Sequence, residues 1–252
     1  FTSLTTTSKT LNKAELANVV KKIKTLPSPP KIYMRLQALM QDPATDASKI
    51  AAVIAEDPAL VAKVIQCSNS SFLSKGKEIS TIQEAITRVG LDTLCCVVMT
   101  AELFSYQPKI EGFSVENEQK HSLATAQLAT TLVKPELKSI TMLAGLLHSI
   151  GKLALYEIDE KLTQKLFKLK AQGHNLLALE RKIFGIDHAQ LGGFILHQWG
   201  FSHQIIEAVL LHVRPKKLLK SSFDAGAGVY TANNLIKEQA LTEDFVKHFQ
   251  LA

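Results

Sequence analysis

Apolar residues recur at three- and four-residue spacing along nearly the whole of this chain, and the strict alternation that marks a strand appears nowhere. That periodicity admits only an all-α fold. From Leu11 to Leu26, Leu16, Val19, Val20 and Ile23 share one face, and Asn12 and Glu15 open the segment in the manner of a capping box. Leu26-Pro27-Ser28-Pro29-Pro30 stops it, because proline lacks an amide donor and restrains the residue before it. Asp42-Pro43 and Asp57-Pro58 both read as helix starts, an aspartate N-cap followed by proline at the first helical position. Helices are expected over 31–40, 47–55 and 58–67. Ser68-Asn69-Ser70-Ser71 should end the last of these, and Thr81-Ile82-Gln83-Glu84 is a capping box that opens another. A long helix follows Gly90. The stretch 107–116, with Pro108 and Gly112 and no periodicity, reads as the boundary between two helical lobes. Helices are then expected over 117–133, 140–150, 162–171, 176–184, 189–199, 204–212 and 223–239.

The resulting division is a tail or linker over 1–13, an N-terminal helical lobe over 14–110 and a C-terminal helical lobe over 111–252. The tail is polar and rich in Ser and Thr. With 46% hydrophobic and 21% charged residues the remainder can bury a proper core. The net charge of +6 is spread over both halves and reads as a mixed solvated surface. Lys161, Lys165 and Lys168 line one helix face opposite Leu162, Leu166 and Leu169, with no interleaved aromatics, which argues against nucleic acid as a partner. Cys67, Cys95 and Cys96 lack CxxC spacing and stand in apolar helical contexts, so they read as reduced core residues of a cytoplasmic protein. No segment reaches the roughly 18–20 apolar residues that cross a bilayer, and no membrane association is expected.

The chemistry-bearing residues are histidines. His148 follows the apolar stripe Leu143, Leu146, Leu147 and Ile150 near a helix C-terminus, with Gly151 placed to end the helix. His121 lies on an earlier amphipathic helix. His188 stands in Asp187-His188-Ala189-Gln190-Leu191-Gly192, and His212 ends Ala208-Val209-Leu210-Leu211. His174, His197, His203 and His248 have no such setting and read as surface or helix-end residues.

Leu146-Leu147-His148-Ser149-Ile150-Gly151-Lys152 resembles the Leu-Leu-His-Asp-Ile-Gly-Lys signature of HD-domain metal-dependent phosphohydrolases, with Ser149 in place of Asp. The order His121, His148-Ser149, then Tyr230-Thr231-Ala232-Asn233-Asn234-Leu235 is similar to that family's His…His-Asp…Asp, with Asn233 where the distal Asp would stand. The N-terminal half narrows the resemblance. Leu26-Pro27-Ser28-Pro29-Pro30, Glu56-Asp57-Pro58-Ala59-Leu60, Ser68-Asn69-Ser70-Ser71-Phe72 and Ile82 through Gly90 look like the HDOD (HD-related output domain) pattern. His188 with Gly192, and Trp199-Gly200-Phe201, extend it along nearly the whole chain after residue 14.

The resemblance implies a bacterial, cytoplasmic signal-transduction module acting by contact with a protein partner: an HDOD-specific N-terminal bundle followed by a degenerate HD-like bundle. Divalent ions of the hard class need anionic oxygen ligands and a bridging carboxylate. Ser149 and Asn233 are neutral, so His121, His148, Ser149 and Asn233 read as relict positions, with no catalytic residues and no cofactor expected. Two alternatives stay open. One is a phosphohydrolase with altered ligands, or a mononuclear divalent metal drawn from His121, His148, His188 and His212, since three neutral imidazoles and a water can hold zinc. The other is a nucleotide or cyclic-dinucleotide sensor whose pocket uses His188, His212, Lys152, Arg214 and Lys216; Lys217 and Lys220 continue that basic stretch. Phe72 is expected to be buried against residues beyond Glu116.

Overall fold

The computed structural model describes residues 31–40, 42–69, 78–104, 111–219 and 222–251. The expected helix over 11–26, the proline break over 26–30, the tail, Phe72 and Lys220 lie outside them. The described residues are helices and connections, without a strand. They fall into two compact units, one within Ser28–Gln107 and the other from Pro108 onward.

The first unit contains α1 (Lys31–Met40), α2 (Ala47–Ala55), α3 (Pro58–Ser68), α4 (Ile82–Val89) and α5 (Leu91–Leu103). Helix α5 is its hub, packed by α1, α3 and α4. Leu94 through Ala101 of that helix are buried all round, as expected of a central helix whose apolar residues occupy every face. The caps follow the sequence with one exception. Asp57 accepts from the backbone N–H groups of Ala59 and Leu60 at 2.9 and 3.2 Å, with Pro58 in the first turn. Asp42 instead accepts from Ala44 N in a turn, and Asp46 is the N-cap of α2. Asp42-Pro43 is therefore not a helix start: the Asx turn closes two residues on, and the chain straightens before Asp46 caps. Thr81 caps α4 through Glu84 N, and the Glu84 carboxylate reaches back to Ser80 N at 2.7 Å. Asn69 ends α3, and its amide pairs with both backbone groups of Ile79, at 2.7 Å each, in the manner of a strand partner. Cys67, Cys95 and Cys96 are buried thiols.

The second unit contains α6 (Val115–Leu132), a 3-10 turn (Pro135–Leu137), α7 (Lys138–Leu147), α8 (Ile150–Leu155), α9 (Glu160–Ala171), α10 (Leu176–Phe184), α11 (His188–Gln198), α12 (His203–Leu211), α13 (Pro215–Leu218), α14 (Ala225–Ile236) and α15 (Glu243–Phe249). Helices α6, α7, α12 and α14 pack on one another, and α11 joins α12 to α8. Small residues set the spacing. A Cβ on Gly145 would lie 2.4 Å from the Ala126 Cα, so α6 and α7 approach backbone to backbone.

One expectation is overturned here. Gly151 does not end the helix of His148: α7 stops at Leu147, and Gly151 lies inside the next helix, α8. A Cβ on Gly151 would fall 1.9 Å from the His188 carbonyl oxygen and 2.6 Å from Gly192 N. The glycine is there to let α8 touch the backbone of α11, not to cap. Lys161, Lys165 and Lys168 are exposed on α9, as are His174, His197, His203 and His248 elsewhere. Helix α15 was not legible in the sequence. Its Phe245 is fully buried against Leu218, Ala227 and Tyr230.

Candidate functional site

Each of the four motif histidines is fixed by a hydrogen bond, and for two of them that bond follows from their place at a helix end. His148 and His212 are the C-caps of α7 and α12, where the last carbonyls have no helical partner. Each turns Nδ1 back onto the carbonyl three residues earlier, Gly145 and Val209, both at 2.6 Å. A carbonyl only accepts, so Nδ1 carries the proton in both rings and Nε2 keeps its lone pair. His188 opens α11. Its Nδ1 donates to the Glu180 carboxylate at 2.7 Å and its backbone N–H to the same oxygen at 3.0 Å. His121, on α6, donates from Nε2 to Asn233 Oδ1 at 2.9 Å.

Packing of α6, α7, α11, α12 and α14 brings these rings together in a row. Centroids are 5.4 Å apart for His121 and His148, 5.0 Å for His148 and His212, and 5.5 Å for His212 and His188. His148 and His212 are 1% exposed, His188 is buried and His121 is partly exposed. His148 Nε2 is buried with no hydrogen-bond partner. Burial, reinforced by the neighbouring imidazoles, holds His148 and His212 well below the usual histidine range, and His121 is lowered by burial and the nearby Lys237 cation. His121, His148 and His212 are therefore neutral at pH 7.

The four residues named for a mononuclear metal, His121, His148, His188 and His212, are neighbours, with successive ring centroids 5.0–5.5 Å apart. Among the described residues no group of three or more His, Cys, Asp or Glu is arranged to hold a metal ion. The carboxylate positions of the resemblance are absorbed. Ser149 Oγ shares a 2.9 Å hydrogen bond with Ser122 Oγ, both buried, and Asn233 holds His121. The carboxylates nearby are also committed, Glu118 to Lys152, Glu180 to His188 and Tyr156, and Asp187 to Arg181 and Arg214. A dinuclear centre of hard divalent ions, which needs free anionic oxygens and a bridge, does not fit this donor set.

Of the basic residues named for a pocket, Lys152 lies closest to the row. It is 5% exposed and pairs with Glu118 at 2.5 Å, one turn before His121. Burial alone would raise the Glu118 carboxyl, but the Lys152 ammonium overrides it and holds the group at about 2. Arg214 is not a rim cation. Its Nη2 bonds Asp187 at 2.6 Å and its Nη1 the Leu210 carbonyl, so it braces the start of α11 against the end of α12. Lys216 is exposed and no contact ties it to the row.

Sequence reading missed Glu118, Ser122, Glu180 and Lys237. Glu180 is fully buried and sets the orientation of His188, yet it lies eight residues away on another helix, where no periodicity signals a partnership. Asp187 was legible in principle, since Asp187 and Gln190 form a capping box.

The HDOD domain model matches residues 26–215. An uncharacterized protein of Treponema pallidum (strain Nichols) is 25% identical over 206 residues, 78% of this chain and 39% of that protein; the chain thus spans well under half the length of the curated relative it matches. Among solved structures, an HDOD domain protein with unknown function from Geobacter sulfurreducens superposes with a TM-score of 0.73 at 22% identity, over 90% of this chain and 79% of its own. A candidate phosphohydrolase from Shewanella amazonensis SB2B gives 0.71 at 23% identity, over 87% and 80%. These likenesses share the fold described above, and the match of the domain model over most of its length shows that the chain belongs to the HDOD domain family.

Proposed function

We propose that this chain is a non-hydrolytic signal-transduction output domain that acts through contact with a protein partner, its histidine cluster being a relict of an HD-type hydrolytic centre. One observation carries the reading. The two positions at which a hydrolase of this pattern would hold charged ligands are Ser149 and Asn233, and both are bonded within the protein, to Ser122 and His121. Hydrolysis of a phosphate ester by a metal centre requires a bound water made nucleophilic and a charged clamp on the leaving oxygens. Neutral side chains already satisfied by neighbours supply neither. Membership of the HDOD family supports a signalling role, and no helix of the described residues is long and apolar enough to cross a membrane.

The test is turnover. The purified chain, given Mn²⁺ or Mg²⁺ in turn, is incubated with p-nitrophenyl phosphate and bis(p-nitrophenyl) phosphate. No release above the buffer blank is expected. Release that disappears in His148→Ala would overturn the reading. The partner arm is read by cross-linking in cells, comparing the intact chain with Ser149→Ala: the same cross-linked species should form from both.

A further inference from the structure

Residues 161–182 hold six of the chain's 29 Lys and Arg but one of its 23 Asp and Glu, so they supply five of its six net positive charges. The excess is therefore concentrated here, not spread over both halves as expected. The one acid, Glu180, is fully buried and bonded to His188 and Tyr156. The outer surface of α9, α10 and the turn between them thus carries no anion. Lys161, Lys165, Lys168 and Lys170 of α9, and Arg181 and Lys182 of α10, are all exposed. Two lysines on other surface helices pair with a glutamate one turn earlier, Lys120 with Glu116 and Lys247 with Glu243. On α9 that position is taken differently: Glu160 bonds Gln164. Among the described residues no ion pair reaches Lys161, Lys165 or Lys168. Like charges one turn apart weaken a helix, and these three, at i, i+4 and i+7, form a basic ridge about 10 Å long. The ridge stands on a fixed base. Leu166 is fully buried, Phe167 stacks on Phe113 and meets Tyr156 edge-on at 5.2 Å, and Arg181 ties α10 to Asp187.

We propose that the Lys161–Lys165–Lys168 ridge of α9 is the surface through which this domain contacts its partner, and that it receives an acidic helix with carboxylates at matching spacing. This rests on the protein-partner reading above and gives that partner a surface and a chemistry. Carboxylates opposite the ridge would relieve the repulsion between its ammonium groups. Charge complementarity of this exposed kind sets encounter rate and partner choice more than affinity, which suits a reversible signalling contact. The other anionic surfaces fit less well. Single-stranded nucleic acid is held by aromatic side chains on which bases stack, and Phe167, the one aromatic of α9, is packed against Phe113 and Tyr156. A helix that lies on a membrane buries an apolar face in it, and the apolar face of α9 is spent on the protein's own interior at Leu166 and Phe167.

The probe is a fluorescein-labelled, alanine-based helical peptide with three glutamates at i, i+4 and i+7, compared with an isomer whose glutamates are spread around the helix. Anisotropy is read with the full chain, with the ridge variant Lys161→Gln/Lys165→Gln/Lys168→Gln and with the corresponding triple Lys→Arg variant. A control, Lys134→Gln/Lys138→Gln/Lys247→Gln, removes the same charge from exposed lysines elsewhere. All the altered residues are exposed, and melting temperatures verify folding. The parent should prefer the matched peptide, and the ridge Gln variant should weaken it about tenfold, the loss of three exposed ion pairs together. The Arg variant and the control should bind as the parent does. No preference in the parent, no loss in the ridge variant, or an equal loss in the control overturns the proposal. So does tighter ridge-dependent binding of a DNA strand or of phosphatidylserine vesicles. In the cross-linking in cells, the species formed by the parent should disappear with Lys161→Glu/Lys165→Glu/Lys168→Glu. If it persists, the ridge is wrong and the protein-partner reading stands; if the parent forms none, that reading falls while the peptide still decides the ridge.

Discussion

Gly151→Ala is expected to be among the most damaging single-methyl changes in the second unit. The added Cβ would lie 1.9 Å from the His188 carbonyl oxygen, 2.6 Å from Gly192 N and 2.8 Å from the His188 carbonyl carbon. Real Cβ atoms essentially never come within 3.0 Å, so the first contact is about 1 Å too short. All three obstacles are backbone, and no rotamer change can clear them. Helices α8 and α11 must separate, opening the packing that sets His188 beside His212. Overpacking of a core costs about 1–3 kcal/mol and sometimes more. With only backbone to yield, about 3 kcal/mol is expected, even after the roughly 1 kcal/mol that Ala gains over Gly in a helix. At about 2–4 °C per kcal/mol this lowers the melting temperature by about 6–12 °C. Gly192→Ala is the internal comparison. Its nearest neighbours would be Gly151 N and two side-chain methyls, all at 3.3 Å, and shifts of a few tenths of an ångström accommodate it within about 1 kcal/mol. Urea denaturation followed by circular dichroism measures both. If Gly151→Ala costs under about 1 kcal/mol, or if Gly192→Ala costs as much as Gly151→Ala, the backbone-contact account of the α8–α11 crossing is wrong.

Three further outcomes are expected. Glu118 is held at about 2 in the folded protein against 4.5 as its ordinary value, so it stabilises the fold fully above pH 4.5 and loses that contribution as pH falls toward 2; this amounts to about 3 kcal/mol, and Glu118→Gln should remove this part of the acid sensitivity in a pH series of urea midpoints. His148 and His212 titrate well below 6.5 when folded, so the unfolded chain takes up protons first and stability should decline as pH drops through about 6.5; a melting temperature that is flat or rises between pH 7.5 and 5.5 would contradict their burial as neutral rings. Ser149→Asp with Asn233→Asp restores two anionic oxygens beside retained imidazoles and should raise Mn²⁺ affinity by calorimetry about tenfold or more; no gain would mean that at least one of the two positions is not where a ligand would stand.

Much of this protein was written in short-range signals. Helix bounds at Lys31–Met40, Ala47–Ala55 and Leu176–Phe184 follow from apolar spacing and from breaks within a few residues, and the Asp57 and Thr81 caps are local pairs. The four histidines, and the neutrality of Ser149 and Asn233, were also plain in one dimension. Local signals misled where two structures share one local code, as at Asp42-Pro43, where an Asx turn replaced a helix cap. Gly151 misled for a different reason. A glycine after an apolar stripe looks like a terminator, but its purpose lay in a backbone on another helix. The site itself belongs to tertiary structure. Ser122 meets Ser149 across 27 residues, Glu118 meets Lys152 across 34, and His121 meets Asn233 across 112. Such pairs depend on how closely and in what register whole helices cross. Periodicity says which face of a helix is buried, but not which buried side chain it will face. The sequence by itself thus determined most of the helices, the histidines and the missing charges. Only packing decided that the four rings come together and that Arg214 braces Asp187.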